Sequence, residues 1–497
     1  MNAKITVVKE FTVGKVSDTL YSSFIEHLGR AVYTGIYEPG HPTADEQGFR
    51  KDVIELVKAL RVPLVRYPGG NFLSGYNWRD GIGPRDKRPV RLDRAWHTIE
   101  TNQIGIDEFA DWAKKAGTAV MGAVNMGTGT PQDAADIVEY CNYPSGTAWS
   151  DLRIQNGHKE PHAIKYWCVG NEMDGPWQIC HLDAVDYGKK AREAIKLMKW
   201  TDDSIQTVVC GSASSSMKTY PEWDRIVLEH TYDVADYLSI HRYFENRGDD
   251  DDFLASFYDM DQFIQTSIAT CDYVKALTRS KKTMYLSFDE WNVWYQSQQQ
   301  VHPWEQAPRI LEDHYSLLDA LTFGGMAISL LNHADRVKVA CLAQLVNVIA
   351  PVFTEPGKGA YKQAIYYPFQ DVSLYGRGTV LMPVVNTPTK PTKTYGDVPA
   401  VVFAAVYNEE AEEISVFALN SSKTESATTD IHLASFGKTS MIYRTELTGS
   451  DLAAKNSLAA PDAVRPEAVP LTQSDSGAYT VLLKPASWNV LRFTVTK

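Results

Sequence analysis

Between Leu20 and Val348 the chain alternates short β-rich runs with longer helical patterns, and this alternation constrains its fold more than any other feature. The β-rich runs are Leu20–Glu26, Pro63–Tyr67, Thr118–Asn125, Tyr166–Glu172, Gln206–Gly211, Tyr237–Tyr243, Met284–Glu290 and Leu342–Val348. Helical periodicity lies between them, at Phe49–Leu60, Ile106–Ala116, Ala134–Cys141, Asp183–Lys199, Tyr220–Glu229, Asp259–Ser280 and Arg309–Leu331. A helix between successive strands returns the chain to the same end of the sheet, so such units build a parallel sheet. Eight strands with helical connections predict a (β/α)8 barrel with insertions. The competing doubly wound open sheet lacks support, because no G-x-G-x-x-G follows the first strand.

The texture changes near Tyr375. Pro383–Pro399 reads as a linker rich in Pro, Thr and Lys. Beyond it, alternating runs at Ala400–Tyr407, Ile414–Leu419, Thr429–Leu433, Thr439–Glu446, Tyr479–Leu483 and Val490–Val495 predict an all-β sandwich. A chain of 497 residues is long enough for two cores. The expected division is residues 19–375 as barrel and 376–497 as sandwich. Residues 1–18 would supply a strand, Lys4–Val8, to the sandwich. The acidic block Asp249–Asp252 reads as a solvated loop.

A formal charge of −12 argues against a nucleic-acid surface, which needs a dense cationic patch. No apolar run reaches eighteen residues, so no membrane span is expected. The N-terminus carries no stretch resembling a signal peptide. The six cysteines form no C-x-x-C pair, so reduced thiols in a cytoplasm are expected rather than disulfides or zinc. His27, His241 and His333 are not spaced as a metal triad, and each reads as a hydrogen-bonded site or core histidine.

In a β/α barrel the chemistry gathers at the C-terminal ends of the strands. Here several strands end in polar groups: Glu26-His27, Arg66 to Asn71, Asn171-Glu172, His241-Arg242-Tyr243 and Asp289-Glu290. A carboxylate beside a buried apolar strand has to be paired, hydrogen-bonded or shifted in pKa. Glu172 and Glu290 follow strands four and seven, which face each other across an eight-stranded barrel. Two opposed carboxyl groups are what glycoside cleavage requires, one protonated toward the leaving oxygen and one ionised.

Five segments then carry a resemblance. They are FIEHLGRAVYTGIYEP (24–39), RYPGGN (66–71), WHTIETNQ (96–103), YWCVGNEM (166–173) and YLSFDEW (285–291). Together they resemble glycoside hydrolase family 51, whose characterised members are mostly α-L-arabinofuranosidases in the clan of barrel-fold retaining glycosidases. The resemblance implies Glu172 as acid/base and Glu290 as nucleophile. It implies Glu26, Asn71 and Asn171 as partners of the sugar hydroxyls, with Gln344 reaching the sugar from strand eight. Tyr243 would position the nucleophile and Arg66 would pair with it. Trp96 and Trp294 would form aromatic walls. No cofactor or metal is implied.

The expected activity is exo-acting release of terminal arabinofuranose from oligo- or polysaccharides by double displacement. The expected assembly is a homo-oligomer, hexameric by resemblance. A β-xylosidase or endo-glucanase on the same barrel is the same-chemistry alternative. A non-catalytic carbohydrate-binding protein is the alternative from another class, and it leaves the paired carboxylates unexplained.

Overall fold

The fold comes from a computed structural model that describes residues 1–296, 304–474 and 477–496. Eight parallel strands close into a barrel: β1 (Ser22–Phe24), β2 (Leu64–Tyr67), β3 (Ala119–Val124), β4 (Tyr166–Val169), β5 (Gln206–Cys210), β6 (Tyr237–Phe244), β7 (Tyr285–Val293) and β8 (Val337–Ala343). Their order around the barrel is their order along the chain, with β8 closing onto β1. Helices cover the outside. Most begin on signals written in the sequence, such as Thr130 ahead of Pro131–Asn142, where the cap hydroxyl accepts from Asp133 N and the Asp133 side chain reaches back.

Two barrel elements differ from expectation. The eighth strand runs Val337–Ala343, earlier than the expected Leu342–Val348. The whole stretch from Val339 to Val352 is buried, so its apolar run carries no register signal. The outer helix before β8 begins at Leu317, not Arg309, because Ser316 and Asp319 form a capping box there. Every residue from Leu317 to Leu331 is buried, since this helix lies between the barrel and the sandwich. A Cβ on Gly324 would come within 2.5 Å of the Trp488 ring, and one on Gly325 within 2.9 Å of Leu419.

The sandwich takes two strands from the N-terminus. Asn2–Thr6 lies parallel to Ala427–His432 and antiparallel to Val384–Asn386, while Thr12–Lys15 pairs with Thr379–Leu381. The stretch expected as a linker is instead folded: it contains Val384–Asn386 and a hairpin of Thr389–Thr392 with Gly396–Pro399. Nor is Asp249–Asp252 a free solvated loop. Asp249 caps the short helix Asp250–Leu254, and its neighbours meet lysines of the sandwich, Asp251 with Lys390 at 3.2 Å and with Lys423 at 3.1 Å. The six cysteines are unpaired and five of them are buried.

Candidate active site

Above the C-terminal ends of the barrel strands, Arg66 on β2 is the buried hub. Its guanidinium donates to Glu290 Oε1 at 2.6 Å and to Asn171 Oδ1 at 2.7 Å, and its Nε stands 3.6 Å from Asp289 Oδ2. Adjacent residues of a regular strand point to opposite faces, yet Asp289 and Glu290 both reach Arg66. The register of β7 against β8 shifts between Phe288 and Trp291, and such an irregularity re-aims side chains. The Tyr243 hydroxyl donates to Glu290 Oε2 at 2.8 Å, and burial raises its own pKa well above the usual tyrosine range.

Glu172 sits just beyond β4, after Gly170, whose φ is +94°, and itself at a φ of +44°. A non-glycine residue in the left-handed region costs on the order of 1 kcal/mol, a cost that surrounding contacts must offset. Those contacts are present: Trp177 Nε1 donates to Glu172 Oε2 at 2.7 Å, and His241 Nδ1 stands 3.0 Å from Oε1. A Glu172 oxygen and a Glu290 oxygen lie within 4.8 Å of each other, with a His241 nitrogen inside the same span.

His241 holds this centre together. Its Nδ1 is 3.6 Å from Glu290 Oε2, and its Nε2 is 3.3 Å from Asp289 Oδ1. Burial alone would lower its pKa, but the surrounding carboxylates, Glu290 foremost, raise it to about 10. Asp289 shows the reverse balance. Burial pushes it up, but Arg66 and His241 bring it down to about 2. The buried imidazolium and carboxylate are therefore charge partners.

Glu26 follows β1 and accepts from Phe72 N at 2.8 Å and Trp96 Nε1 at 2.9 Å. Burial outweighs these bonds and raises its pKa to about 8. Gln344 Oε1 accepts from Glu26 N at 3.0 Å, which fixes β8 against β1 at the rim. Gly70 leaves room for both acids, since a Cβ there would meet Glu26 Oε2 at 2.9 Å and Glu290 Oε1 at 3.3 Å. Asn171 Nδ2 donates to Asn71 Oδ1 at 3.3 Å, and Trp294 packs edge-on against Tyr243 at 4.9 Å.

All ten residues singled out from sequence thus meet in one constellation. Glu26, Asn71, Trp96, Glu172, Tyr243, Glu290, Trp294 and Gln344 line one cavity of about 890 Å³, while Arg66 and Asn171 stand behind it. The sequence assigns no role to Asp289 and marks His241 only as a hydrogen-bonded site or core histidine, because the purpose of each lies in the other. Nor does it mark Trp177, although that ring stands five residues beyond Glu172. His27 bonds Glu100 and Tyr67, and His333 bonds Asp261, so neither joins His241.

A parallel eight-stranded barrel with two carboxyl groups opposed over its mouth defines a glycoside hydrolase of the barrel type. Comparison with known proteins narrows the class. Residues 56–263 match the family described as Alpha-L-arabinofuranosidase 1 domain, and residues 289–487 match Alpha-L-arabinofuranosidase C-terminal domain. The chain is 53% identical to an intracellular exo-α-(1→5)-L-arabinofuranosidase of Halalkalibacterium halodurans, over 99% of each chain. It is 51% identical to one from Bacillus subtilis, covering 99% of this chain and 98% of that one. A solved family 51 α-L-arabinofuranosidase from Bifidobacterium longum superposes with a TM-score of 0.96 at 43% identity, over 99% of both chains. The chain belongs to the family 51 α-L-arabinofuranosidases.

Proposed function

We propose that this protein is a retaining, exo-acting α-L-arabinofuranosidase in which Glu290 attacks the anomeric carbon and Glu172 protonates the departing oxygen. The observation that carries this reading is the approach of the two carboxylates to within 4.8 Å. Retaining enzymes keep them roughly 5–5.5 Å apart, whereas inverting enzymes leave about 6.5–9.5 Å for a water. Arg66 and Tyr243 hold one Glu290 oxygen each and so aim the nucleophile. Trp177 and His241 likewise fix both oxygens of Glu172. After arabinosyl transfer to Glu290, Glu172 takes the proton of the attacking water, and configuration is retained.

Glu26, Asn71, Asn171 and Gln344 would bind the sugar hydroxyls, with Trp96 and Trp294 as walls. The substrates would be terminal α-L-arabinofuranosyl residues, α-(1→5)-linked as in the names of the relatives above. Those relatives are named intracellular, which supports a cytoplasmic location here. A homo-oligomer, hexameric by family resemblance, is also inferred, and light scattering on the purified chain tests it.

Two assays test the core of this reading. Aryl α-L-arabinofuranoside should be cleaved in preference to β-D-xyloside and β-D-glucoside. Azide should then separate the two glutamates. With an acidic leaving group, Glu172→Ala should still form the glycosyl-enzyme, having lost only a proton donor worth roughly 10²–10⁴-fold. Azide should convert that intermediate to product of retained configuration. Glu290→Ala with azide should give inverted product, if any. The same configuration from both variants would mean that a role is wrongly assigned.

A further inference from the structure

The cavity holding Glu172 and Glu290 does not stop at the barrel. Its lining also takes in Trp177, Met217 and Arg242, together with Thr394 and Tyr395 from the turn of the sandwich hairpin. At about 890 Å³ it is near the upper end of the roughly 300–1,000 Å³ that enclose a drug-sized ligand, several times the need of one pentose. We propose that this extension is a binding trough for the leaving-group portion of an arabino-oligosaccharide, with Tyr395 of the sandwich as its distal aromatic platform. The proposal rests on the arabinofuranosidase reading above.

The hairpin is held in place for such a role. Asp252 on the barrel side accepts from Lys393 N at 2.6 Å, from Thr394 N at 3.1 Å and from the Thr394 hydroxyl. Lys390 and Lys423 tie the sandwich to Asp251, and Tyr258 packs on the Tyr395 ring at 6.1 Å. These contacts join the short helix Asp250–Leu254 and the start of the helix Ser256–Leu277 to the hairpin and to Lys423 of the sandwich, at the wall of the active-site cavity. A purely structural seam has no need to present a half-buried tyrosine to that cavity.

The chemistry of the lining favours a neutral polyol over an anion. Arg242 is committed to Asp259 at 2.9 and 2.8 Å, Arg247 faces Glu245 at 3.7 Å, and Asp249 caps a helix. Both arginines of the lining thus face an acid already, and Asp249 and Asp252 add further carboxylates, so the wall offers no free cation to hold an anionic ligand. Flat rings are available in the lining, with Trp177 half exposed beside Glu172 and Tyr395 on the sandwich hairpin. Ring faces spaced between hydroxyl-bonding groups suit the C–H surfaces of a saccharide.

The test compares substrates by length. In the wild type, kcat/KM should rise from arabinobiose to longer α-(1→5) arabino-oligosaccharides. In Tyr395→Ala, the ratio of kcat/KM on the longest oligosaccharide to that on aryl α-L-arabinofuranoside should fall about tenfold, through KM. Tyr395→Phe keeps the ring and should keep the ratio. A ratio unchanged within about twofold in Tyr395→Ala overturns the trough, as does an equal loss on every substrate with an unaltered melting temperature. Should Tyr395→Ala fail to fold, calorimetric binding of the same series to Glu172→Gln reads the trough directly, and affinity independent of chain length overturns it. Failure of the wild type to cleave the aryl arabinofuranoside counts against the functional reading alone, since binding of oligosaccharide still reports on the trough.

Discussion

His241 stands among three acids, bonding Glu172 and Asp289 through opposite ring nitrogens and reaching Glu290 as well. Removing its charge would leave Asp289 and Glu290 to Arg66 alone, and removing one partner of a buried ion pair typically costs about 3–5 kcal/mol. The ring is protonated when folded up to a pKa of about 10, against 6.5 for a free histidine. Its contribution to stability is therefore complete below pH 6.5 and is lost as pH rises through 10. His241→Gln keeps a hydrogen-bond donor but carries no charge. Urea unfolding at several pH values should show it several kcal/mol less stable than the wild type at pH 6, with the gap narrowing toward pH 10. A gap that stays constant to pH 10.5 would mean that the ring is neutral and acts only as a spacer.

Between elements, the seam is the helix Tyr366–Tyr375 against the sandwich strand Ser487–Thr496. There Trp488 Nε1 donates to Asp371 Oδ2 at 2.9 Å, in full burial. Burial raises the Asp371 pKa from 3.8 to about 7, with the Trp488 bond as the opposing pull. The folded state thus binds the proton more tightly than the unfolded chain, so this residue costs stability as pH rises from 4 to 7. Asp371→Asn removes that titration and keeps an acceptor for Trp488. Its stability relative to wild type should improve by about 4 kcal/mol between pH 4 and pH 8, at about 1.4 kcal/mol per unit. A difference that is flat with pH would place the proton elsewhere. None of this seam was legible in the sequence, although much else at this scale was. Helix Ile106–Ala116 was readable to the residue, because its apolar stripe ends at Gly117 in the left-handed region. The site was readable because its residues cluster at strand ends and in recognisable segments. What failed did so where pattern depends on a distant partner. The Val337–Ala343 strand is buried throughout from Val339 onward and has no alternation there to fix its end. Asp249–Asp252 looked solvated because the lysines that answer it lie some 140 and 170 residues away.

At the scale of the whole molecule, the barrel's core runs on into the sandwich through Phe417, Leu419, Trp488 and Val490, while the sandwich also keeps a core of its own that the N-terminal strand completes. The first strand completes a sandwich made chiefly from the last hundred residues, and Thr12–Lys15 extends its second sheet before the chain enters the barrel. Conversely, the barrel helix Leu317–Asn332 is apolar along its length and buries one side under Trp488 and Leu419 of the sandwich. Asn332 Nδ2 donates across the same boundary to Phe403 O at 3.0 Å. Residues 19–375 alone would expose that helix face, leave Asp371 without Trp488, and lose the lysines that neutralise Asp250 and Asp251. An exposed apolar face of this kind promotes association. Expression of residues 19–375 should therefore give aggregated or molten protein with little arabinofuranosidase activity. The full chain should unfold in one calorimetric transition rather than two, because loss of the sandwich removes part of the barrel's own core. A soluble, fully active 19–375 fragment, or two separated transitions in the full chain, would make the sandwich an independent module. In that case the hairpin at Tyr395 would contribute only to how oligosaccharides bind, and not to whether the barrel stands.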